Sequence, residues 1–288
     1  MENKIYLRFM GGLGNQMFQY AFMRSLIAHG QDAYPNMEWF QQNQNSSLNF
    51  VLPEVFPKVI IPMANDNDCK KSRRLQRIHK GINLLCRKEV FYVGEREDAV
   101  FEPDVFQRTG GTFDGYWQSA RYFKEIEDEI RDTFTFSVKD KTLADFIRKM
   151  EQQENTVSVH LRRGDYKGVE DMYGGICTTE YYQRALDDME NHLEHPVFYI
   201  FSNDMDWVKE NFKGKNFIYI TSGMFDSYEN WYDMLLMSKC KNNIIANSSF
   251  SWWGAWLNSN PNKRVIAPKK WVNTSTTPDK WAEGWIKL

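Results

Sequence analysis

The pattern of apolar and polar residues in the second half of the chain predicts strands that alternate with helices. Short apolar runs bounded by turn residues are typical of buried strands, and they occur at 157–161, 197–202, 217–221, 243–246 and 264–267. The intervening segments carry apolar residues at helical spacing, at 179–193, 205–212, 227–240 and 250–258. This alternation predicts a parallel sheet with helices on both faces, as in a Rossmann-type domain.

The first half of the chain has a weaker pattern that still predicts one clear unit. A strand at 5–9 runs into a glycine-rich turn and then a helix at 15–29. A strand and turn leading into a helix are predicted within 112–123, and an amphipathic helix at 138–152 follows. Between 35 and 97, prolines and Asn/Gln-rich turns give no reliable assignment of elements.

Two domains are predicted, with the boundary at the amphipathic helix. The chain has 288 residues, and we divide it into 1–150 and 151–288. In Rossmann-type sheets ligands bind at the carboxyl ends of the strands. The loops that should share this rim follow Leu161, Phe201, Thr221 and Ala246.

Composition and charge exclude several classes of protein. The formal charge is -2 and the pI is near 6.3, whereas a dedicated nucleic-acid binder needs a net basic face. The four cysteines are scattered without the spacing of a zinc site, so we expect reduced thiols. No run approaches the roughly 20 apolar residues that span a bilayer, and the start lacks an apolar signal core. We therefore expect a cytoplasmic protein.

The sharpest local signal is a buried strand that ends abruptly in charged residues, in the segment HLRRGDY at 160–166. Arg162 and Arg163 present planar forks of donors, which suit diphosphate oxygens better than the point charge of lysine does. Asp165 supplies a carboxylate two residues later. The alternative is a surface loop in which an arginine forms a salt bridge with Asp165.

A glycine-rich turn, GGLGNQ at 11–16, joins the first strand to the first helix. Small residues at this position let backbone amides approach a phosphate or a sugar oxygen near the helix N-terminus. The turn departs from GxGxxG, and no acidic residue follows a second clear strand about 20 positions on, so a dinucleotide site is poorly supported. A tight turn without a ligand is the alternative.

Two further polar segments follow predicted strands. In 247–250, Asn-Ser-Ser-Phe opens a helix, where serines could bind an oxyanion or simply cap the helix. In 202–204, Ser-Asn-Asp follows the neighbouring strand, where a carboxylate could accept from a base or a ribose hydroxyl. A plain turn is the alternative reading of the second segment.

Together the motifs carry a resemblance to a known family. The segments GGLGNQMFQYAF, FDGYWQS, HLRRGDY, FSND and NSSFSWWGAWL resemble the bacterial alpha-1,2-fucosyltransferases of glycosyltransferase family 11. They are similar, more distantly, to the alpha-1,6- and protein O-fucosyltransferases, which share an HxRRxD-type motif. The segments occur in family order and cover nearly the whole chain except about 36–99. The resemblance implies a GT-B fold of two facing Rossmann-like domains with a cleft between them. An arrangement in which the last helix crosses back to the first domain stays open.

The resemblance also implies roles for individual residues. In the catalytic motif, Arg162 contacts the β-phosphate of the donor, and Arg163 and Asp165 complete the motif. Asn15 reaches across the cleft toward the donor. The other implied donor contacts are His160, Gly12, Gly14, Gln16, Ser202, Asp204, Ser248, Ser249 and Phe250. The implied acceptor contacts are Tyr116, Trp117 and Gln118.

The predicted reaction moves L-fucose, with inversion, from GDP-beta-L-fucose to the 2-hydroxyl of a terminal galactoside in an oligosaccharide or polysaccharide precursor such as an O-antigen. The resemblance implies that neither a cofactor nor a divalent metal is needed, so the negative charge that develops on the leaving β-phosphate must meet arginine and backbone donors. Asp165 either accepts the proton of the acceptor hydroxyl or only orients the arginines, because pairing with arginine makes a carboxylate a weak base.

Other functions stay open at the level of sequence. They are a fucosyltransferase of different linkage, a transferase of another GDP-sugar, and a non-catalytic nucleotide- or glycan-binding module. The expected partners are GDP-fucose and a galactose-terminated glycan, without nucleic acid. The segment 69–88 is rich in basic residues and has apolar residues at helical spacing. It predicts either peripheral contact with an anionic membrane at its inner face or a solvated helix packed on the first domain.

Overall fold

A computed structural model describes residues 3–43, 48–62, 92–95, 99–162, 170–277 and 279–288, with positions 78, 81, 82 and 85 between them. The chain divides into two compact units. Unit 1 consists of Met1–Phe136 with Pro278–Lys280, and unit 2 consists of Ser137–Thr277 with Trp281–Leu288. The division therefore falls before the amphipathic helix rather than within it, and a three-residue segment near the end of the chain belongs to unit 1.

Unit 1 contains a four-stranded sheet in which all neighbouring strands are parallel. Its strands are β1 (Lys4–Arg8), β2 (Asp32–Asn36), β3 (Tyr92–Gly94) and β4 (Gly111–Asp114), in the order β2-β1-β4-β3. The helices whose bounds the described residues give are α1 (Leu13–Ala28), α2 (Glu38–Gln42), α3 (Leu52–Val55) and α4 (Glu127–Thr133), with 3₁₀ turns at Pro103–Gln107 and Ala120–Ile126. The predicted strand, glycine turn and helix at the start of the chain are confirmed by β1 and α1.

Helix α1 is the central helix of unit 1. Met17, Phe18 and Phe22 are fully buried, as expected for a helix that is apolar on nearly all faces. The Phe22 ring lies 4.5 Å from Trp117 and 4.9 Å from Tyr122, measured between ring centroids. Such aromatic contacts add to the free energy of simple burial. They fix the glycine turn, from which α1 begins, against the core of unit 1.

Unit 2 contains a six-stranded sheet, again parallel at every neighbouring pair. Its strands are β5 (Thr156–Leu161), β6 (Val197–Ser202), β7 (Phe217–Tyr219), β8 (Asn242–Ile244), β9 (Val265–Ala267) and β10 (Ile286–Lys287), in the order β10-β9-β8-β5-β6-β7. Its helices are α5 (Lys141–Glu151), α6 (Glu170–Tyr173), α7 (Thr179–His192), α8 (Met205–Asn211), α9 (Trp231–Lys239) and α10 (Ser249–Leu257). The predicted alternation of strands and helices is confirmed.

The helix predicted at 227–240 begins later, at Trp231, because the residues before it are bonded to another helix. The backbone N–H of Ser227 donates to Asp140 Oδ2 at 3.0 Å, and that of Asp226 donates to Thr142 Oγ1 at 3.1 Å. Asp140 also accepts from Leu143 N at 3.0 Å and so caps α5. The start of the predicted helix is thus tied to the end of another helix, and these bonds compete with helix formation.

The strand order places a switch point between β5 and β8. From β5 the chain adds β6 and β7 on one side, and it then crosses to β8, β9 and β10 on the other side. All six residues of β5 are buried, as is typical of a central strand covered on both faces. In sheets of this type a crevice opens where the order reverses, outside the carboxyl ends of the strands.

Two sequence predictions concern residues that the structure describes only in part. The motif residues Arg163 and Asp165 lie outside the described residues, as does most of the basic segment 69–88. Within that segment the apolar side chains of Ile78 and Leu85 are exposed. Among the described residues, no helix combines the length and the apolar character needed to cross a membrane.

Candidate active site

Arg162 stands at the switch point of the unit 2 sheet. It follows the last residue of β5, and its Nη1 donates to Ser248 Oγ at 2.8 Å. Ser248 follows β8 and is the residue before α10. The hydrogen bond therefore joins the loops that follow two neighbouring strands, and it holds a permanent positive charge beside a helix N-terminus. Both the guanidinium and the N-terminus favour an anion at this place.

A cavity of about 720 Å³ opens at the carboxyl ends of β5, β6 and β7. Its volume lies within the range of small-molecule sites, which is about 300–1,000 Å³. Four of the residues singled out from the sequence line it: His160, Arg162, Ser202 and Phe250. The strand-end motifs of the second half therefore meet at one rim, as the sequence predicts.

His160 is a buried residue of β5 that lines this cavity. Burial, with a smaller contribution from the nearby Arg162 charge, lowers the pKa of its imidazole to about 3. The ring is therefore neutral at physiological pH and offers one donor and one acceptor nitrogen. Its Nδ1 has no hydrogen-bond partner among the described residues. A ligand in the cavity could supply that partner.

Asp233 on α9 also lines the cavity, and sequence reasoning missed it. Burial raises the pKa of its carboxyl to about 7, while a hydrogen bond with Tyr228 acts in the opposite direction. Its Oδ1 is buried without a hydrogen-bond partner among the described residues. The only sequence signal is a single acidic residue inside the otherwise mostly apolar stretch Trp231–Met237. A buried acceptor of this kind, facing a cavity, is a candidate ligand contact.

Asp204 follows β6 and caps the helix after it. Its Oδ1 accepts from Trp207 N at 3.4 Å, so the carboxylate caps α8. Among the described residues, the carboxylates that line the cavity are those of Asp206 and Asp233. Ser202 does line the cavity, and its Oγ accepts from Asp204 N at 3.1 Å. The expected contact between Asp204 and guanosine stays a prediction, and Asp206 and Asp233 are further candidates for it.

The two serines of the 247–250 segment differ in burial. Ser248 is buried against Arg162, while Ser249 begins α10 and is half-buried beside the cavity-lining Phe250. No acidic residue occupies the first turn of α10, so nothing in that turn offsets its positive N-terminal end. The prediction that Ser249 and Phe250 meet the diphosphate stays a prediction.

The glycine turn of unit 1 holds Asn15 in a tight setting. Gly11 has φ +78, a conformation in which any other residue is strained, and a Cβ there would displace the Asn15 side chain, whose Nδ2 would lie 2.5 Å away. Gly12 is half-buried and Gly14 is buried within α1. Asn15 Oδ1 accepts from Gln118 Nε2 at 2.7 Å. The turn and the FDGYWQS segment are therefore linked directly through two predicted site residues.

Gln16 is a structural residue rather than a donor contact. Its side chain is fully buried, and its Nε2 donates to Gly11 O at 3.0 Å and to Asn49 O at 2.8 Å. Its Oε1 accepts from Val51 N at 3.1 Å. Because most of its hydrogen-bonding capacity is used inside unit 1, the expectation that Gln16 contacts the donor is corrected.

Trp117 is likewise corrected as an acceptor contact. Its indole is completely buried among Phe22, Phe113 and Tyr122, so it presents no face to a sugar. Tyr116 beside it is only half-buried. Of the three predicted acceptor residues, Tyr116 and Gln118 thus retain accessible surface.

Comparison with known proteins adds the family context. A model of the family described as "Glycosyl transferase family 11" matches residues 110–288. The "Alpha-1,2-colitosyltransferase" of Escherichia coli is 33% identical over 99% of this chain and 98% of that protein. The "Galactoside alpha-(1,2)-fucosyltransferase 1" of Aotus azarae is 26% identical over 86% of this chain and 63% of that protein.

A solved structure shares the fold. A mutant of Arabidopsis thaliana FUT1 in complex with GDP superposes with a TM-score of 0.50 at 10% identity, covering 92% of this chain and 70% of that one. At this identity the likeness concerns the fold alone. It agrees with the predicted α/β class with two Rossmann-like units.

Replacement of Trp117 by Ala tests whether this residue belongs to the core of unit 1. The loss of a fully buried indole should lower the free energy of unfolding by about 3–5 kcal/mol, measured by urea denaturation. Tyr116→Ala is the matched control: it should change the free energy of unfolding by less than about 1 kcal/mol. If Trp117→Ala left the free energy of unfolding unchanged, its assignment to the core would be wrong.

Proposed function

We propose a function from one premise: the chain belongs to glycosyl transferase family 11. It transfers L-fucose from GDP-beta-L-fucose to the 2-hydroxyl of a terminal galactoside, with inversion at the transferred sugar. The two relatives named above act, by their names, with the same alpha-1,2 linkage but on different sugars. They therefore support the linkage more strongly than they support fucose, and GDP-colitose is the alternative donor.

The observation that carries this proposal is the position of Arg162. When GDP leaves, negative charge develops on its β-phosphate, and a fixed cation at that place stabilises the transition state. The hydrogen bond to Ser248 holds the guanidinium in place before the reaction, and the N-terminus of α10 adds backbone N–H groups nearby. Arg163 would add a second fork, so the charge that a divalent cation would supply comes from the protein. Asp165 then either takes the proton of the acceptor hydroxyl or orients the arginines.

The cavity at the strand ends would hold the guanosine of the donor. Guanine presents two neighbouring donors, N1–H and the 2-amino group, and a carboxylate is the side chain that accepts from both. Asp233 supplies a buried oxygen without a hydrogen-bond partner among the described residues. The neutral His160 ring offers a further polar contact in the same cavity.

Transfer in the presence of EDTA tests the activity and the role of Arg162 together. The protein should transfer fucose from GDP-fucose to a terminal galactoside, with linkage analysis showing attachment at the 2-hydroxyl. Arg162→Lys keeps the charge but loses the fork, and turnover should fall about a hundredfold or more. If the protein transferred sugar from GDP-colitose and not from GDP-fucose, the proposed donor would be wrong. If Arg162→Lys kept near-normal turnover, the planar guanidinium would not be needed for the reaction.

Asp233 predicts a specific dependence of GDP binding on pH. The free carboxyl is protonated below its pKa of about 7, whereas guanine donors favour the ionised form, so binding at lower pH must release a proton. Between pH 7.5 and 6, GDP affinity should fall about tenfold through this group. His160 stays neutral over this range, because its pKa is about 3.

Asp233→Asn separates this effect from the titration of the phosphate, which is common to both proteins. The variant should bind GDP more weakly at pH 7.5 and lose that part of the pH dependence, as measured by calorimetry. An amide also matches the 2-oxo group of xanthine, so preference should shift toward xanthosine diphosphate. Asp206→Asn, on the same cavity, should keep the wild-type pH dependence. Equal pH profiles for wild type and Asp233→Asn would exclude the proposed contact.

A further inference from the structure

Tyr228 lines the cavity of unit 2 together with Asp233, and a hydrogen bond joins the two side chains. Tyr228 lies in the loop before α9, whereas Asp233 belongs to the first turn of that helix. Burial, the nearby Asp233 charge and this hydrogen bond all raise the pKa of the Tyr228 phenol. The phenol is therefore protonated at physiological pH, so its O–H donates to the ionised Asp233 carboxylate.

This hydrogen bond occupies one oxygen of Asp233 and leaves the other to a ligand. Oδ1 is buried and has no hydrogen-bond partner within the part of the chain that the structure describes, so the bond from Tyr228 falls on Oδ2. The rotation of a carboxyl group about its own axis is otherwise only weakly restricted. The bond at Oδ2 therefore fixes the position of Oδ1. Because each carboxylate oxygen can accept two hydrogen bonds, Oδ2 can also still accept from a ligand.

Ring packing restricts the side chain of Tyr228. Its ring is stacked on Phe225, with 12° between the ring planes and 6.4 Å between the centroids. It meets the ring of Tyr232 edge-on, at 67° and 6.0 Å. Phe225 in turn contacts Phe146 of α5 at 5.6 Å. Stacked and edge-to-face pairs are the favoured arrangements of aromatic rings, so the phenol is held in one place beside Asp233.

The backbone before Tyr228 is held by Asp140 at the start of α5. Asp140 Oδ2 accepts from the backbone N–H of Ser227 at 3.0 Å and from its hydroxyl at 3.4 Å. Hydrogen bonds, the largest contribution coming from Thr142, lower the pKa of the Asp140 carboxyl to about 2. Asp140 is therefore ionised throughout the pH range of ligand binding, and the loop stays attached to α5 over that range.

We propose that Tyr228 is a positioning residue for Asp233: its phenol holds Oδ2, so that Oδ1 faces the cavity and the carboxylate accepts from the base of the nucleotide. This inference rests on the proposed function in that GDP is the ligand of the cavity. It separates two tasks, because Asp233 recognises the base and Tyr228 orients Asp233.

Other titratable groups surround Asp233 on the elements packed around it. They are His160 and Arg162 at the end of β5, Asp206 and Lys209 on α8, and Glu151 of α5 with its ion-pair partner Lys239. Helix α10, which packs along α9, carries none. Burial is the larger influence on the pKa of Asp233, and the hydrogen bond from Tyr228 opposes it. Loss of that hydrogen bond should therefore act directly on the pKa of Asp233.

Tyr228→Phe removes the hydroxyl and keeps the ring that packs on its neighbours. Without a hydrogen bond that favours the ionised form, the pKa of Asp233 should rise above 7. The pH at which GDP affinity begins to fall should then move up by about one unit, and affinity at pH 7.5 should fall about threefold to tenfold, as measured by calorimetry. A loss of packing alone would not move this pH.

Tyr232→Phe is the matched control, because it removes a hydroxyl from the same group of rings. That hydroxyl lies 3.4 Å from Ser227 Oγ, and none of the hydrogen bonds in the described ranges joins it to Asp233. The control should keep the wild-type pH profile of GDP binding. An unchanged profile in Tyr228→Phe, or the same shift in both variants, would overturn the proposal.

A double variant shows whether the effect passes through Asp233. In an Asp233→Asn background no carboxyl titrates at this position, so Tyr228→Phe should leave the pH profile of GDP binding where it is. A shift of the profile in this background would come from another group and would count against the proposal.

The titration of Asp233 in protein without nucleotide separates this proposal from the proposed function. The carboxyl carbon resonance of Asp233 should titrate at about pH 7 in wild type and in Tyr232→Phe, and at higher pH in Tyr228→Phe. If it does so while the protein neither binds GDP nor transfers sugar, the proposed function fails and the orientation of Asp233 by Tyr228 stands. Equal pKa values of Asp233 in wild type and Tyr228→Phe would overturn that orientation.

Discussion

The hydrogen bond from Arg162 to Ser248 is the interaction on which the proposed chemistry depends. It connects the loops after β5 and β8, the two neighbouring strands between which the sheet order reverses. A parallel sheet brings the carboxyl ends of its strands to one edge, and the reversal opens a crevice there. An arginine at this point presents a planar fork of donors that matches diphosphate oxygens. The fold therefore supplies both the position and the orientation of the charge.

Unit 1 contains polar side chains that are buried and held in place by hydrogen bonds. Gln16 connects the glycine turn to the 49–51 segment, and Gln118 donates to Asn15 and accepts from Lys280. Buried polar series of this kind are stable only when each donor meets an acceptor, so they define one arrangement. The aromatic cluster around Phe22 holds the backbone on which these groups stand. The conformation of the glycine turn thus depends on buried side chains in its surroundings.

Much of the fold follows from the sequence because periodicity reports burial directly. Strands β5 to β9 and helices α7, α8 and α10 lie close to their predicted ranges. The start of α9 differs, because hydrogen bonds from Asp226 and Ser227 to the α5 N-terminal region depend on tertiary structure that no local pattern reveals. The same holds for Trp117, whose aromatic character fits a sugar contact or a core equally well until its neighbours are known.

The site could be predicted only where chemistry is concentrated in a short motif. His160, Arg162, Ser202 and Phe250 lie within or just after short motifs at the ends of strands, and they were found in this way. Asp233 is a single carboxylate within a helix, and its significance comes from the cavity that it lines. Lys280 is separated from Gln118 by 162 positions, so only folding brings its charge to that amide. The surroundings of such residues depend on the fold, so the sequence alone does not identify them.

The most direct test of this account compares the affinities of GDP and guanosine in EDTA, by calorimetry, for wild type and Arg162→Ala. The two ligands differ only in the diphosphate, so their affinity ratio isolates the group that Arg162 is proposed to hold. The account predicts that wild type prefers GDP strongly and that Arg162→Ala loses about tenfold to a hundredfold of that preference, with guanosine affinity unchanged. A variant that kept the wild-type ratio would contradict the central claim, because the diphosphate would then be bound by other groups.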